Sequence, residues 1–206
     1  MTVREGLLVL ADGSTFEGEL IGAQAPGGVA TGEVVFNTVL SGYQEVVSDP
    51  SYAGQVITFT YPHIGNYGVN PADDESRRPF CRGVVVRDLA RRRSNWRSTG
   101  DLDAYLARHG VPGIAGVDTR RLTRRIREAG ALPCAFGDAD EVTLKAAAVA
   151  ERGTDGRDLV QASESELRTE LHKYLFGGDF VHRRVSDLSW GERTPSSSAG
   201  GCSCPW

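Results

Sequence analysis

Cysteine, methionine and lysine are all scarce in this chain. Its 206 residues include four cysteines and one methionine, and the lysines are Lys145 and Lys173 among 23 basic residues. Four scattered cysteines are too few for a small secreted domain held together by disulfides. No apolar run reaches the roughly 18 residues of a membrane helix, and the N-terminal apolar stretch is too short for a signal peptide. We therefore expect a cytoplasmic protein.

The usual signatures of catalysis are also missing. The sequence contains no GxSxG, no phosphate-binding GxxxxGK[ST] and no HExxH, and its four histidines are dispersed. Cys134 has apolar neighbours, which favour a protonated, unreactive thiol. Cys202 and Cys204 form a C-x-C pair without a second pair nearby, so a metal site there is disfavoured. We predict no catalytic residue, metal ligand or cofactor site in this chain.

Arginine is concentrated in residues 75–97, which also contain Phe80 and Trp96. Basic residues interleaved with aromatic ones are typical of nucleic-acid binding. A solvated face or a protein interface has the same composition. The formal net charge of −4 argues against a nucleic-acid binder.

Hydrophobic periodicity predicts an α/β fold, a mixed β-sheet with flanking helices, over residues 1–160. Asp101 and Asp118 are expected to cap two of the helices, which Gly110 and Gly130 end. The predicted strands cover residues 6–10, 15–21, 32–40, 55–62, 82–89 and 111–118, and the predicted helices fall within 101–110, 118–130, 140–151 and 163–175.

Two polar, glycine-bearing segments flank the predicted strand 55–62. Residues 41–55 read as turn-rich, and residues 63–78 read as a long loop. Short polar side chains beside glycines allow a ligand or a partner backbone to approach closely. Spacing alone does not name that ligand.

Several long segments resemble one family in order along the chain. They resemble the N-terminal domain of the small, glutamine-hydrolysing subunit of carbamoyl-phosphate synthetase. The match begins with LLVLADGSTFEGELIGA, and its longest block is GEVVFNTVLSGYQEVVSDPSYAGQVITFTYPHIGNYGVN; the matching residues are 7–23, 32–70, 82–97, 102–131 and 156–160.

The resemblance implies a role in making carbamoyl phosphate for arginine and pyrimidine synthesis. The family's first domain docks on a large synthetase subunit, which uses ATP, Mg and bicarbonate. A second, class I amidotransferase domain hydrolyses glutamine through a cysteine thioester. The implied partner is the large subunit, and a small subunit split into two chains would add a separate amidotransferase chain. Neither nucleic acid nor a membrane is expected as a partner.

One residue of the glutamine site is implied in this chain. The family's first domain contributes the serine of its DPSY motif, which is Ser51 here. Its hydroxyl can donate to and accept from the polar groups of a bound amino acid. The alternative is that Ser51 only stabilises the turn after Pro50.

The last quarter of the chain departs from the family pattern. We expect a helical extension at 161–193 and a disordered Ser/Cys-rich tail at 194–206, and the amidotransferase domain and its nucleophile are not recognisable. This chain alone is therefore not expected to hydrolyse glutamine. We expect it to be a truncated, a split or a repurposed small subunit. In the repurposed case it is a non-enzymatic carrier that presents its C-terminal peptide for modification.

Overall fold

A computed structural model of the protein describes residues 4–154, and seven strands of this part close into a barrel. The barrel strands are β1 Glu5–Leu10, β2 Thr15–Gly22, β3 Val29–Asn37, β4 Gln55–Phe59, β6 Gly83–Val85, β8 Pro112–Ala115 and β9 Leu132–Gly137. Two further short strands, β5 His63–Ile64 and β7 Asp88–Leu89, pair in parallel with each other. The four α-helices of the described part are α1 Tyr43–Ser48, α2 Leu102–Arg108, α3 Thr119–Ala129 and α4 Glu141–Ala150.

The barrel mixes parallel and antiparallel pairs. Around it the strands follow the order β1-β2-β8-β6-β4-β3-β9. Neighbours from β8 through β6 and β4 to β3 run parallel, and the other neighbours run antiparallel. This confirms the mixed α/β fold predicted from the sequence. The predicted sheet is closed into a barrel, because β1 pairs with β9.

Large side chains fill the barrel where glycines leave room for them. Phe136 of β9 is fully buried. An added Cβ on Gly83 would lie 2.5 Å from the Cζ atom of Phe136. An added Cβ on Gly18 would lie 2.8 Å from Cγ1 of Ile114. Alternating small and large residues across neighbouring strands lets the interior reach native packing density.

Alternation along β9 separates two cores. Cys134 and Phe136 belong to the interior cluster, to which α3 adds Leu122 and Ile126. Ala135 points outward and packs under α4. A third cluster lies outside the barrel, where α1 and α2 cover the outer faces of β4, β6 and β8. The period-two pattern of these strands thus places the two faces of each strand in different cores.

Of the two aspartates predicted to cap helices, one caps its helix and the other does not. The Asp118 carboxylate accepts from the backbone N–H of Arg121 at 3.0 Å and begins α3, as predicted. Asp101 precedes α2, but its side chain makes no capping hydrogen bond. Instead its carboxylate pairs with Arg93 at 2.9 Å. The prediction that Asp101 caps α2 was wrong because this ion pair engages its carboxylate.

Residues 41–55 contain a helix where the sequence suggested turns. Helix α1 has six residues and follows Gly42, whose φ of 87° lies in the left-handed region. So short a segment, with the β-branched pair Val46-Val47, carries no helical periodicity that a sequence can reveal. The helix forms because Tyr43 and Val47 bury one of its faces against the outer core.

The expected helix 163–175, the extension 161–193 and the tail 194–206 lie outside the described residues. Within residues 4–154, no helix is both long and apolar enough to cross a membrane.

Candidate functional site

Ser51 lies in a short 3₁₀ turn, Pro50–Tyr52, that follows α1. The carboxylate of Asp49 accepts from the backbone N–H of Ser51 at 2.8 Å. The Ser51 residue is exposed, and its hydroxyl has no hydrogen-bond partner among the described residues. The side chain of Asp49, rather than that of Ser51, therefore stabilises this turn.

Tyr52, the residue after Ser51, is held by a hydrogen bond from strand β3. The Nδ2 of Asn37, at the end of β3, donates to the hydroxyl of Tyr52 at 2.8 Å. Asn37 Oδ1 accepts from the backbone N–H of Val39 at 2.8 Å, which orients the amide. The Ser51 hydroxyl is thus presented on a turn that is held at both ends.

A buried polar network fixes α1 against the loop that follows β5. Gln44 is 1% exposed, and its Nε2 donates to Asn70 O at 2.8 Å and to Asp74 Oδ1 at 2.7 Å. Its Oε1 accepts from the Asn70 N–H at 2.8 Å. Asp74 Oδ1 also accepts from the Tyr105 hydroxyl at 2.6 Å. Because these polar groups are paired, the network specifies one position for α1.

The N-terminus of α1 is capped from a distance by Tyr67. Its hydroxyl accepts from Gly42 N–H at 2.5 Å and from Tyr43 N–H at 3.1 Å. The two tyrosine rings stack with centroids 4.2 Å apart, and Tyr43 donates to Gly68 O at 2.6 Å. Burial raises the pKa of both tyrosines, so each keeps its proton at neutral pH.

A cavity of about 270 Å³ opens beside this capped end. We name it the Glu45 cleft; three segments of chain line it. Its lining residues are Ser41, Gly42, Glu45, Tyr67, Gly68, Val69, Asn70, Asp73, Asn95, Arg97 and Ser98. The first two segments fall within the polar segments 41–55 and 63–78 identified in the sequence. The sequence does not indicate that residues 95–98 lie beside them.

The charges of the Glu45 cleft are unevenly paired. Arg97 and Asp73 form an ion pair at 2.7 Å. Glu45 Oε2 is buried and has no hydrogen-bond partner among the described residues. A buried carboxylate oxygen without a donor costs free energy unless a ligand or partner supplies that donor.

The two described thiols are unreactive. Cys134 is fully buried in the barrel, and burial raises its pKa. Burial also raises the pKa of Cys81 to about 12. Both thiols are therefore protonated at neutral pH, as the sequence predicts for Cys134. Cys202 and Cys204 lie outside the described residues.

The described histidines do not form a metal site. His63 Nδ1 lies 2.8 Å from Asp88 Oδ2 at the surface. His109 packs against the Tyr105 ring, with centroids 4.5 Å apart. Within residues 4–154, no group of three or more His, Cys, Asp and Glu side chains is arranged to hold a metal ion.

Residues 8–136 match the family model described as carbamoyl-phosphate synthase small chain, CPSase domain. A carbamoyl phosphate synthase small chain from Pseudomonas putida is 45% identical over 197 aligned residues, which cover 89% of this chain and 51% of that relative. The small chain from a Nostoc species is 56% identical over 126 residues, covering 61% of this chain and 32% of that relative. The chain thus spans about half of the length of the first relative and about a third of the second.

One solved structure that resembles part of this chain has a low similarity score. An aminopeptidase from Aneurinibacillus sp. strain AM-1 covers 66% of this chain and 32% of its own, with 17% identity and a TM-score of 0.37. So low a score carries no argument about this protein.

Proposed function

Because the chain belongs to the family of carbamoyl-phosphate synthase small chains, we propose that it supplies the CPSase domain for glutamine-dependent synthesis of carbamoyl phosphate. In this role it docks on the large chain, which uses ATP and Mg. It also contributes the Ser51 hydroxyl to the glutamine site. Hydrolysis of glutamine belongs to a class I amidotransferase domain, which the family resemblance assigns to residues outside the matched segment.

The observation that carries the proposal is the unengaged hydroxyl of Ser51. The turn is stabilised by the hydrogen bond from the Ser51 backbone N–H to the Asp49 carboxylate, and the Ser51 side chain takes no part in it. A polar group exposed on a turn with fixed ends is suited to meet a ligand, since little ordering is required on binding. Glutamine offers an α-ammonium, an α-carboxylate and a side-chain amide, and a hydroxyl can bond to each of them.

The described thiols support a division of labour between this domain and another. A cysteine thioester requires an accessible thiolate beside an oriented base. Cys81 and Cys134 are buried and their pKa values are raised. Within residues 4–154, neither thiol meets that requirement, so the nucleophile must come from elsewhere.

A hybrid small chain tests the role of Ser51. Residues 1–154 replace the matching part of the Pseudomonas putida small chain, and the complete hybrid is assembled with that organism's large chain. We expect Ser51→Ala to raise the KM for glutamine about tenfold or more, the effect of losing one hydrogen bond to a charged group. The rate with ammonia in place of glutamine should not change, because ammonia bypasses the glutamine site.

The matched control is Ser94→Ala, which removes another exposed serine hydroxyl. It should leave the KM for glutamine unchanged. An unchanged glutamine KM in Ser51→Ala would remove Ser51 from the glutamine site. A hybrid that folds but does not associate with the large chain would contradict the docking role.

A further inference from the structure

The Glu45 cleft contains a carboxylate that the fold itself leaves without a donor. Glu45 is the third residue of α1, where a glutamate commonly accepts the N–H of the residue before the helix. Here that N–H, from Gly42, is taken by the Tyr67 hydroxyl. Glu45 Oε2 is therefore buried without a hydrogen bond from any described residue.

The other charged groups of the cleft do not neutralise Glu45. Arg97 is the one arginine among the lining residues, and Asp73 holds it at 2.7 Å. Two carboxylates and one guanidinium leave the cleft with an excess negative charge. The chemistry that complements it is a cationic N–H donor.

Two exposed apolar residues are sequence neighbours of residues that line the same cleft. Trp96 is 92% exposed and lies between the lining residues Asn95 and Arg97. Leu40 is 69% exposed and precedes the lining residue Ser41. Among the described residues, the other large apolar side chains exposed to this degree are Val142 and Val149 of α4. A tryptophan in this state exposes a large apolar area, of the kind that protein interfaces cover.

We propose that the Glu45 cleft, together with Leu40 and Trp96, docks the large chain by receiving one arginine or lysine side chain. The cation donates to Glu45, and apolar neighbours of that side chain cover Trp96 and Leu40. This assignment rests on the proposed function, which supplies the large chain as partner. It adds the surface and the residue type that the partner presents.

Charge complementarity decides between this occupant and an acidic one. Arg91 and Arg92 are exposed on the same loop as Trp96 and have no described partner. They would suit an acidic surface, but they do not line the cleft. A cation in the cleft satisfies the buried Glu45 oxygen, whereas an acidic group would place a second unpaired carboxylate beside it.

The test measures binding of the full 206-residue chain to the carbamoyl-phosphate synthase large chain of the same organism by calorimetry. We expect Trp96→Ala to weaken binding about 30-fold, the size of a tryptophan hot spot. Glu45→Gln keeps the shape and removes the charge, and should weaken binding about tenfold or more. The control Val149→Ala truncates another exposed apolar residue and should leave the affinity unchanged.

A second measurement separates docking from a structural role of Glu45. If Glu45 only holds α1 in place, Glu45→Gln will lower the melting temperature of the free chain. We expect an equal or higher melting temperature, because the substitution removes the negative charge of a partly buried side chain whose Oε2 atom has no donor.

Each contrary outcome has a distinct meaning. A wild-type chain that does not bind the large chain would overturn the proposed function and this surface together. Wild-type binding that is insensitive to Trp96→Ala and Glu45→Gln would overturn the surface alone. A larger loss of affinity in Arg91→Ala/Arg92→Ala than in Glu45→Gln would assign the loop to an acidic partner surface. Self-association of the chain that Trp96→Ala abolishes would assign the surface to a second copy.

Discussion

Gln44 is the residue whose replacement tests most sharply how the fold positions α1. Its amide makes three hydrogen bonds, two to the backbone of Asn70 and one to the Asp74 carboxylate. Gln44→Leu keeps a similar volume but removes all three. It leaves the Asn70 N–H without its acceptor, while Asp74 retains the Tyr105 hydroxyl.

The expected loss follows from these contacts. At about 1 kcal/mol for each neutral bond, and more for the bond to a carboxylate, the free energy of unfolding should fall by about 3 kcal/mol. For a chain of this size, that lowers the melting temperature by about 6–12 °C.

Urea unfolding followed by circular dichroism measures the change. The control is Gln24→Leu, since Gln24 is exposed and its replacement should change the free energy of unfolding by less than about 0.5 kcal/mol. A loss below about 1 kcal/mol for Gln44→Leu would refute the view that this network fixes α1.

Two further predictions concern the barrel and its thiols. Gly83→Ala should lower the free energy of unfolding by about 1–3 kcal/mol in denaturant unfolding, because the added Cβ would lie 2.5 Å from Phe136 Cζ. Adding Phe136→Leu should recover part of that loss. A Gly83→Ala variant as stable as the wild type would contradict the packing of Phe136 against Gly83. Burial raises the folded-state pKa of Cys81 to about 12 from its ordinary value of 9.0, so the unfolded state loses its thiol proton first. The stability should therefore be unaffected by this group below pH 9 and should fall as the pH rises from 9 to 12. Cys81→Ala should reduce the slope of a stability–pH profile in that window, whereas an unchanged slope would contradict the burial of this thiol.

Local patterns in the sequence predicted several of the regular elements, although not helix α1. The prediction for residues 6–10 corresponds to β1, and that for residues 118–130 to α3, including its Asp118 cap. These elements carry their own signal, since strand alternation and helix caps depend on residues a few positions apart. Closure of the barrel depends instead on pairs such as Leu8 with Phe136, which no local pattern reveals.

One candidate site could be found from local sequence, and the other could be found only from the structure. Ser51 was found through a motif of adjacent residues, and its exposed hydroxyl is consistent with that prediction, which remains to be tested. The Glu45 cleft joins residues near 42, 70 and 97, and its unpaired carboxylate depends on the reach of Tyr67 to the start of α1. The sequence does not reveal helix α1, so only the structure shows that Glu45 stands at a helix start and that its Oε2 atom is unpaired.

The central claim is that this chain acts as the docking domain of a carbamoyl-phosphate synthase small chain. The most direct measurement is light scattering on a size-exclusion column, with the 206-residue chain mixed with the large chain of the same organism. The account predicts one peak whose mass exceeds that of the large chain by 22.2 kDa for each copy bound. Two separate peaks at the masses of the free chains would contradict it.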